Sequence, residues 1–132
     1  PTRRQRQMCI RDSYAMDRKT FGKAIAEHQA IQLKLAEMST RAAAAELLVY
    51  QAADKFDRHE RCDLEAGQAK FFASEAAVQN SLDAMRVFGG YSYSPEYEIE
   101  RFYRDAPLLC IGEGTNEIQR MIIAKQMVAR AS

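Results

Sequence analysis

The sequence has few of the residues from which metal and redox centres are built. It contains two histidines, His28 and His59, and three cysteines, Cys9, Cys62 and Cys110. The histidines are too scattered to suggest a metal site, and the cysteines lack the spacing of zinc or iron–sulfur ligands. Three cysteines without a pairing pattern favour a reducing compartment. We therefore expect no metal, and a location in a bacterial-type cytoplasm or in another soluble, reducing compartment.

An excess of charge and a long apolar run are also absent. The sequence has 19 basic and 18 acidic residues, so the formal net charge is +1. A chain so close to neutrality has no overall field that would select nucleic acid or a membrane surface. No apolar run approaches the roughly 20 residues that a membrane-spanning helix needs, and no signal-peptide pattern is present. We expect neither nucleic acid nor membrane as a partner.

The sequence does contain enough apolar material for one folded domain. Of its 132 residues, 47% are hydrophobic and 28% are charged. These fractions are ordinary for a globular domain with a buried core, and the length allows one such domain.

The segment 1–13 differs in character from the rest of the chain. It holds four arginines against one acid and has no sustained apolar face. The string Arg-Gln-Arg-Gln-Met-Cys-Ile-Arg-Asp-Ser looks like translated sequencing-adapter DNA, and a basic arm that binds nucleic acid is the alternative. We predict a foreign or disordered segment over 1–13 and a single helical domain over 14–132.

Beyond this segment the sequence predicts a chain that is almost entirely helical. Apolar residues recur every three or four positions over 27–59 and again over 64–87, as in amphipathic helices. A helix that ends near Gly22 is predicted before them, and two more helices are predicted over 99–105 and 115–130. We therefore predict an all-α fold, an up-down four-helix-type bundle.

The apolar stripes also predict which side chains enter the core. In the helix over 64–87 the predicted inward residues are Phe71, Val78, Leu82 and Met85. In the last helix they are Ile118, Met121, Ile122 and Val128. The glycines, proline and tyrosines of 88–97 predict a loop.

One acidic residue stands between two glycines just before the last helix. Glycine on either side of Glu113 allows the backbone to approach a ligand closely. Thr115 or Asn116 can cap the helix that follows, and free amide groups at a helix start attract negative charge. A carboxylate on a tight turn beside free amides suits the removal of a proton next to a carbonyl group.

Three short motifs occur in a fixed order along the second half of the chain. They are Phe-Gly-Gly-Tyr at 88–91, Tyr-Arg-Asp-Ala at 103–106 and Glu-Gly-Thr at 113–115. In this order and at this spacing they resemble the C-terminal part of the acyl-CoA dehydrogenases. The resemblance covers most of this chain but only a part of a typical family member, and implies the helical C-terminal domain. Arg104 and Asp105 are expected to form an ion pair that holds the loop before Glu113.

The resemblance implies an FAD-dependent oxidation of an acyl-CoA thioester to the 2-enoyl-CoA. In the family, the residue that matches Glu113 removes the α-proton while the β-hydrogen leaves as hydride to flavin N5. The match also assigns the backbone N–H of Glu113 to the thioester oxygen, and Gly114 to the space beside the substrate. The alternative for Glu113 is an acid that merely stabilises the start of a helix.

The resemblance implies FAD contacts near the beginning of the domain. Arg18 matches an arginine that reaches the pyrophosphate of an FAD held by a neighbouring subunit, a role that suits the forked guanidinium. Phe21 matches the aromatic residue beside it, and Gln29 matches a glutamine that contacts the same cofactor. The alternative for Arg18 is a solvated cation at a helix end, and the alternative for Gln29 is a plain surface polar residue.

Further FAD contacts are implied by the later motifs. Gly89 and Gly90 match glycines whose backbone lies against the FAD of the adjacent subunit. Arg86 stands where the family often has glutamine, so its contact with the cofactor would differ in kind. Thr115 and Glu117 match a pair that touches the ribityl and adenosine region, and capping of the last helix is the alternative for Glu117.

The resemblance also implies partners and leaves two other functions open. It implies an acyl-CoA substrate, an electron-transfer flavoprotein as electron acceptor, and a homo-oligomer, expected to be a tetramer. An acyl-CoA oxidase is one alternative function, and a non-catalytic helical module for assembly is the other. We expect the isolated chain to be inactive and to bind flavin weakly or not at all.

Overall fold

The computed structural model describes residues 3–131, and the side chains of residues 10–131. The helices are α1 Arg3–Asp17, α2 Gln29–Asp57, α3 Asp63–Phe88, α4 Ile99–Asp105, α5 Leu108–Ile111 and α6 Asn116–Ala131. A two-residue hairpin, β1 Lys19–Thr20 with β2 Lys23–Ala24, lies between α1 and α2. Short 3-10 turns cover Ile25–Glu27 and Gly89–Tyr93. The predicted all-α bundle is confirmed.

The long helices run in alternating directions. Near the corner that joins α2 to α3, Lys55 lies 2.6 Å from Glu65, whereas Arg41 meets Asn80 farther along both helices. α6 also runs against α3, because its first residue, Asn116, bonds to Ser74 and its end bonds to Glu65. α1, α2, α3 and α6 thus form the predicted up-down bundle, with α3 at its centre.

Small residues let the neighbouring helices approach α3 closely. Its buried face carries mainly alanine, serine and glycine, namely Gly67, Ala69, Ala73, Ser74, Ala76, Ser81 and Ala84. A Cβ at Gly67 would lie 3.1 Å from Cγ1 of Ile123 on α6. The predicted stripe of Phe71, Val78, Leu82 and Met85 is only half-buried. A helix packed on several sides buries its small residues, and its larger ones fill the gaps between neighbours.

The orientation predicted for α6 was wrong. The residues predicted to face inward, Ile118, Met121, Ile122 and Val128, lie on the exposed side, and Met121 is 72% exposed. The side that meets α3 carries Asn116, Gln119, Ile123 and Gln126 instead. α3 offers Lys70, Ser74 and Glu75 as hydrogen-bonding partners for that polar side. The apolar face of α6 therefore lies on the surface of this chain.

The beginning of the chain differs from expectation in two ways. α1 ends at Asp17, and Gly22 lies at the tip of the hairpin with φ +80° rather than at the end of a helix. The predicted boundary before Tyr14 falls inside α1, where Ile10 packs on the main core and Arg11 is buried. The foreign origin of 1–13 stays a prediction, and residues 1–2 lie outside the described part.

The main core forms where α1, α2, α3 and α4 meet. It contains Met38, Ala84, Phe88, Ile99 and Phe102. The ring of Tyr14 stacks on Phe88 with the ring centroids 4.1 Å apart. The end of α3 is therefore fixed next to the end of α1, which places the segment after Phe88 beside the hairpin.

Candidate functional site

Glu113 lies on a tight turn between α5 and α6. The amide of Gly112 donates to the carbonyl oxygen of Leu108 at 2.8 Å and ends α5. Glu113 and Gly114 then follow with φ values of +56° and +82°. The amide of Ile118 donates to Oγ1 of Thr115 at 3.3 Å, so Thr115 caps α6. The turn leaves Glu113 exposed at the start of a helix, where the helix dipole favours negative charge.

Gly114 is required by the geometry of this turn. Its positive φ is costly for any residue with a side chain. A Cβ at this position would also lie 2.9 Å from Nε2 of Gln119. The same Nε2 donates to the carbonyl oxygen of Glu113 at 3.4 Å. Because the Gln119 amide ends a flexible side chain that can move aside, it is the positive φ that selects glycine after Glu113.

Glu113 forms part of the wall of a cleft, which we call the Glu113 cleft. Its volume is about 640 Å³. It is lined by Val49, Ala69, Lys70, Ala73, Ser74, Leu108, Leu109, Gly112 and Glu113. Among these lining residues, Lys70 and Glu113 carry the charges, and most of the others are apolar. Such a mixture is typical of sites that bind small molecules.

A buried asparagine ties the turn to α3. Asn116 is 2% exposed, and its Oδ1 accepts from Nζ of Lys70 at 2.8 Å and from Oγ of Ser74 at 3.0 Å. Its Nδ2 donates to Oε1 of Glu75 at 2.7 Å. Sequence reasoning considered Asn116 only as a cap and missed Lys70 and Ser74. The available signal was a lysine and a serine four residues apart on an alanine-rich helical face.

A second cleft lies at the other end of α3, and we call it the Arg18 cleft. It has a volume of about 490 Å³ and contains the predicted residues Arg18, Gly89 and Gly90 together with Tyr14 and Tyr91. The guanidinium carbon of Arg18 lies 5.0 Å from the centroid of the Tyr91 ring. Burial raises the pKa of Tyr14, and the nearby Arg18 guanidinium offsets part of that rise. The cleft is therefore a cationic corner with aromatic walls.

The backbone of this chain explains why residue 89 is glycine, but it does not explain the glycine at 90. Gly89 has φ +63° and ends α3, which explains the absence of a side chain. Gly90 has no positive φ, and a Cβ there would meet nothing within 4 Å. The fold of this chain therefore leaves the glycine at Gly90 unexplained, and open backbone faces the cleft.

Six predicted residues lie outside the lining of both clefts, namely Gly114, Thr115 and Glu117 just after Glu113, and Phe21, Gln29 and Arg86 in other elements. Phe21 is 98% exposed at the tip of the hairpin, with its ring edge-on to His28 at 6.1 Å between centroids. Gln29 is exposed at the start of α2. Arg86 donates to the buried carboxylate of Asp83 at 3.0 Å. Their cofactor roles stay predictions.

The structure separates the predicted residues into two groups. Glu113, Gly114 and Thr115 belong to one turn, with Glu117 exposed on the first turn of α6. Ser74 lines the Glu113 cleft and Val87 lines the Arg18 cleft, and both lie on α3. At about 1.5 Å of rise per residue, they are about 20 Å apart along the helix. One copy of this chain therefore presents two distinct clefts.

The structure also bears on the predictions about the Arg104 ion pair, the cysteines, membrane spans and metal sites. Arg104 bonds to Glu100 at 3.4 Å instead of to Asp105, because residues four apart share a helix face and adjacent ones do not. Cys62 and Cys110 are free thiols. Within residues 3–131 no helix combines the length and apolar character needed to cross a membrane. The same described residues hold no cluster of three His, Cys, Asp or Glu side chains suited to a metal ion.

Comparison with curated proteins identifies similar sequences. Acyl-CoA dehydrogenase of Bacillus subtilis is 53% identical over 115 residues, and 3-(aryl)acrylate reductase of Clostridium sporogenes is 51% identical over 115 residues. Each match covers 87% of this chain and 30% of the relative. The chain thus spans about a third of the length of the curated relatives it matches.

Solved structures show the same fold. Butyryl-CoA dehydrogenase of Megasphaera elsdenii matches with a TM-score of 0.92 and 37% identity, over 95% of this chain and 33% of that one. An FAD complex of PigA matches with a TM-score of 0.92 and 32% identity, over 96% of this chain and 33% of that one. The family model for the C-terminal domain of acyl-CoA dehydrogenases matches residues 7–128. The chain therefore belongs to the acyl-CoA dehydrogenase family and contains its C-terminal domain.

Proposed function

We propose that this chain is the base-carrying C-terminal part of an FAD-dependent acyl-CoA dehydrogenase. The reaction is the α,β-dehydrogenation of an acyl-CoA thioester to the 2-enoyl-CoA, with Glu113 as the base. The observation that carries the proposal is the exposed Glu113 on a left-handed turn in the wall of a largely apolar cleft. Membership of the family supports the reaction class.

Glu113 has two tasks in the proposed reaction. Its carboxylate takes the α-proton of the thioester, and its backbone N–H donates to the thioester oxygen as negative charge develops there. Gly114 leaves room for the thioester beside that carboxylate. In this chain Glu113 is exposed. A ligand in the cleft would remove water from the carboxylate and make it a stronger base toward a weakly acidic C–H group.

The Arg18 cleft fits part of a flavin dinucleotide. Arg18 offers a forked cation for phosphate oxygens, and the open backbone at Gly90 allows close approach of a ligand. Phe21, 98% exposed at the tip of the hairpin, offers an aromatic surface outside the cleft lining. Bound FAD would supply the acceptor for the hydride that leaves the β-carbon. The similar PigA structure is an FAD complex, which supports FAD as the cofactor.

The distance between the clefts supports an oligomer with shared sites. The Arg18 and Glu113 clefts are about 20 Å apart along α3, so we propose that they serve cofactors bound to different copies. Exposed apolar residues on α6, such as Met121 and Ile122, provide surface for association. We propose a homotetramer as the complete assembly.

We also propose an electron-transfer flavoprotein as the electron acceptor and the cytoplasm as the location. Both follow from the family resemblance, and the free thiols Cys62 and Cys110 agree with a reducing compartment. The acyl-CoA oxidase alternative shares every residue role within this domain. The rate at which the reduced enzyme is reoxidised by air separates the two activities.

The test is a hybrid enzyme in which residues 14–132 replace the matching part of Bacillus subtilis acyl-CoA dehydrogenase. We expect it to bind FAD and to lose flavin absorbance when an acyl-CoA is added. Glu113→Gln should keep the flavin and abolish this bleaching. The control, Glu46→Gln, alters an exposed acid on α2 that bonds to Tyr50, and should bleach normally. Turnover retained by Glu113→Gln would refute the assignment of the base.

A further inference from the structure

Lys70 is bonded to both sides of the turn that carries Glu113. Its Nζ donates to Oδ1 of Asn116 at 2.8 Å and to the carbonyl oxygen of Cys110 at 3.4 Å. Cys110 lies three residues before Glu113, and Asn116 lies three residues after it. One ammonium group on α3 therefore spans the whole turn.

The turn has an unfavourable backbone that needs external support. Glu113 is a non-glycine residue with φ +56°, and Gly114 follows with φ +82°. A residue with a Cβ rarely adopts the left-handed conformation, and it persists where surrounding contacts determine it fully. The hydrogen bond from Gln119 to the Glu113 carbonyl, at 3.4 Å, is long. The bond from Lys70 to the Cys110 carbonyl is equally long, so the shorter bonds to Asn116 supply most of the support for this conformation.

Asn116 is held in one orientation by three partners. Lys70 and Ser74 both lie within hydrogen-bond distance of its Oδ1, and Glu75 accepts from its Nδ2 at 2.7 Å. An ammonium group has donors and no acceptor, so it must face the amide oxygen. A buried polar network in which each group is bonded is rigid and specifies a single geometry.

We propose that Lys70 is a positioning residue for the base. Its ammonium group clamps the turn from both sides, and thereby fixes the direction of the Glu113 carboxylate and the adjacent amides. Lys70 acts through the turn and makes no bond in the reaction. The catalytic consequence rests on the proposed function, whereas the effect on the turn does not.

The first test measures amide hydrogen exchange in the 132-residue chain. The informative amides are those of Gly112, Ile118 and Gln119, which donate hydrogen bonds on either side of Glu113. Lys70→Met keeps the aliphatic stem but removes the charge, and should speed exchange at all three amides by about tenfold. Lys70→Arg, which keeps a donor cation, should restore most of the protection.

The matched control is Lys55→Met. Lys55 is another half-buried lysine of the bundle, and its bond to Glu65 lies away from the turn. This variant should leave the three amides within twofold of the unaltered chain. Equal effects of Lys70→Met and Lys55→Met at these amides would overturn the proposal, because the role of Lys70 would then be general stability.

A second variant decides the question if Lys70→Met does not fold. Asn116→Ala removes the clamp on the side that follows Glu113 and leaves the bond from Lys70 to Cys110. Exchange should then rise more at Ile118 and Gln119 than at Gly112. Unchanged exchange at all three amides would contradict the clamp.

The second test uses the hybrid enzyme described above. Lys70→Met should lower kcat by about tenfold to a hundredfold with little change in KM, since a small displacement of a catalytic group reduces rate more than binding. Lys70→Arg should recover most of kcat. Unchanged kcat in Lys70→Met would refute the positioning role. If Glu113→Gln keeps turnover, the proposed function fails, while the exchange result on the turn still stands.

Discussion

Arg130 donates two hydrogen bonds to Glu65, at 2.7 and 3.0 Å, and so joins the end of α6 to the first turn of α3. Lys55 of α2 donates to the same carboxylate at 2.6 Å. One buried acid therefore connects three helices. The hydrogen bonds from Arg130 and Lys55 outweigh the opposing effect of burial, and lower the pKa of Glu65 from 4.5 to about 2.

This low pKa predicts how stability changes with pH. The carboxylate is ionised in the folded state at pH values where the unfolded chain takes up a proton. Its stabilisation is therefore complete above about pH 4.5 and is lost as the pH falls toward 2. Thermal unfolding between pH 7 and pH 2 should show this loss. Glu65→Gln should unfold more easily by about 2 kcal/mol at pH 7 and should show a weaker pH dependence. Parallel curves for the two proteins would contradict the prediction.

Arg41 bonds to two acids, the buried Asp83 and the exposed Glu37. Loss of the buried acid should destabilise the fold more than loss of the exposed one. Arg41 donates to Asp83, which is buried, at 3.0 Å and to Glu37, whose side chain is 65% exposed, at 3.1 Å. Burial disfavours ionisation of Asp83, yet hydrogen bonds from Gln79, Arg41 and Arg86 prevail and lower its pKa. Asp83→Asn should lower the free energy of unfolding by about 2 kcal/mol, because it removes a buried charge that accepts hydrogen bonds from Arg41 and Arg86.

The matched control for that measurement is Glu37→Gln. It removes the exposed partner of Arg41 and should change the free energy of unfolding by less than about 0.5 kcal/mol. Denaturant titration of both variants gives the comparison. If the two substitutions lower the free energy of unfolding by similar amounts, then burial does not determine how much each acid bonded to Arg41 stabilises the fold.

The paired glycines should respond differently to alanine. Gly89→Ala places a side chain at φ +63° and should lower the free energy of unfolding by about 1 kcal/mol. Gly90→Ala should leave the melting temperature of the chain unchanged, because its Cβ meets nothing. In the hybrid enzyme, however, Gly90→Ala should weaken FAD binding, as measured by flavin retained after gel filtration. If the Gly90→Ala hybrid retains its full flavin content, the proposed cofactor contact at Gly90 is refuted.

The isolated chain should not hold FAD at a one-to-one ratio. Its Arg18 cleft offers one exposed cation and open backbone at Gly89 and Gly90, and the Glu113 cleft lies about 20 Å away. One such partial site gives little affinity once the cost of immobilising the ligand is counted. Titration of the 132-residue chain with FAD, followed by flavin fluorescence, tests this. Stoichiometric binding would overturn the view that the sites are shared between copies.

The long helices and α4 could be predicted from the sequence, whereas the hairpin and the short helix α5 could not. α4 was predicted with its observed bounds, because a loop rich in glycine and tyrosine precedes it and Pro107 follows it. The hairpin at Phe21 and Gly22 was missed, since strands of two residues carry no periodicity. The four-residue helix α5 was missed because it is too short for an apolar stripe.

The error in α6 has a physical cause that a single sequence cannot reveal. Its periodicity correctly identified an amphipathic helix, but hydrophobic pattern does not say which face meets the rest of the same chain. Asn116 lies against α3 because Lys70, Ser74 and Glu75 complete its hydrogen bonds. The position of Glu113 could be predicted from its motif, whereas these tertiary bonds that support it could not.

The use of α3 as a wall of both clefts sets a constraint on how this domain can change. Ser74 and Val87 belong to different clefts but to one uninterrupted helix. Each residue of an α-helix turns the chain by about 100°. A single insertion or deletion between these positions would rotate one cleft about the axis relative to the other and misalign both. The number of residues between Ser74 and Val87 is therefore fixed by the geometry of the two clefts. This part of α3 can accept substitutions on its exposed side, but it cannot accept an insertion or a deletion.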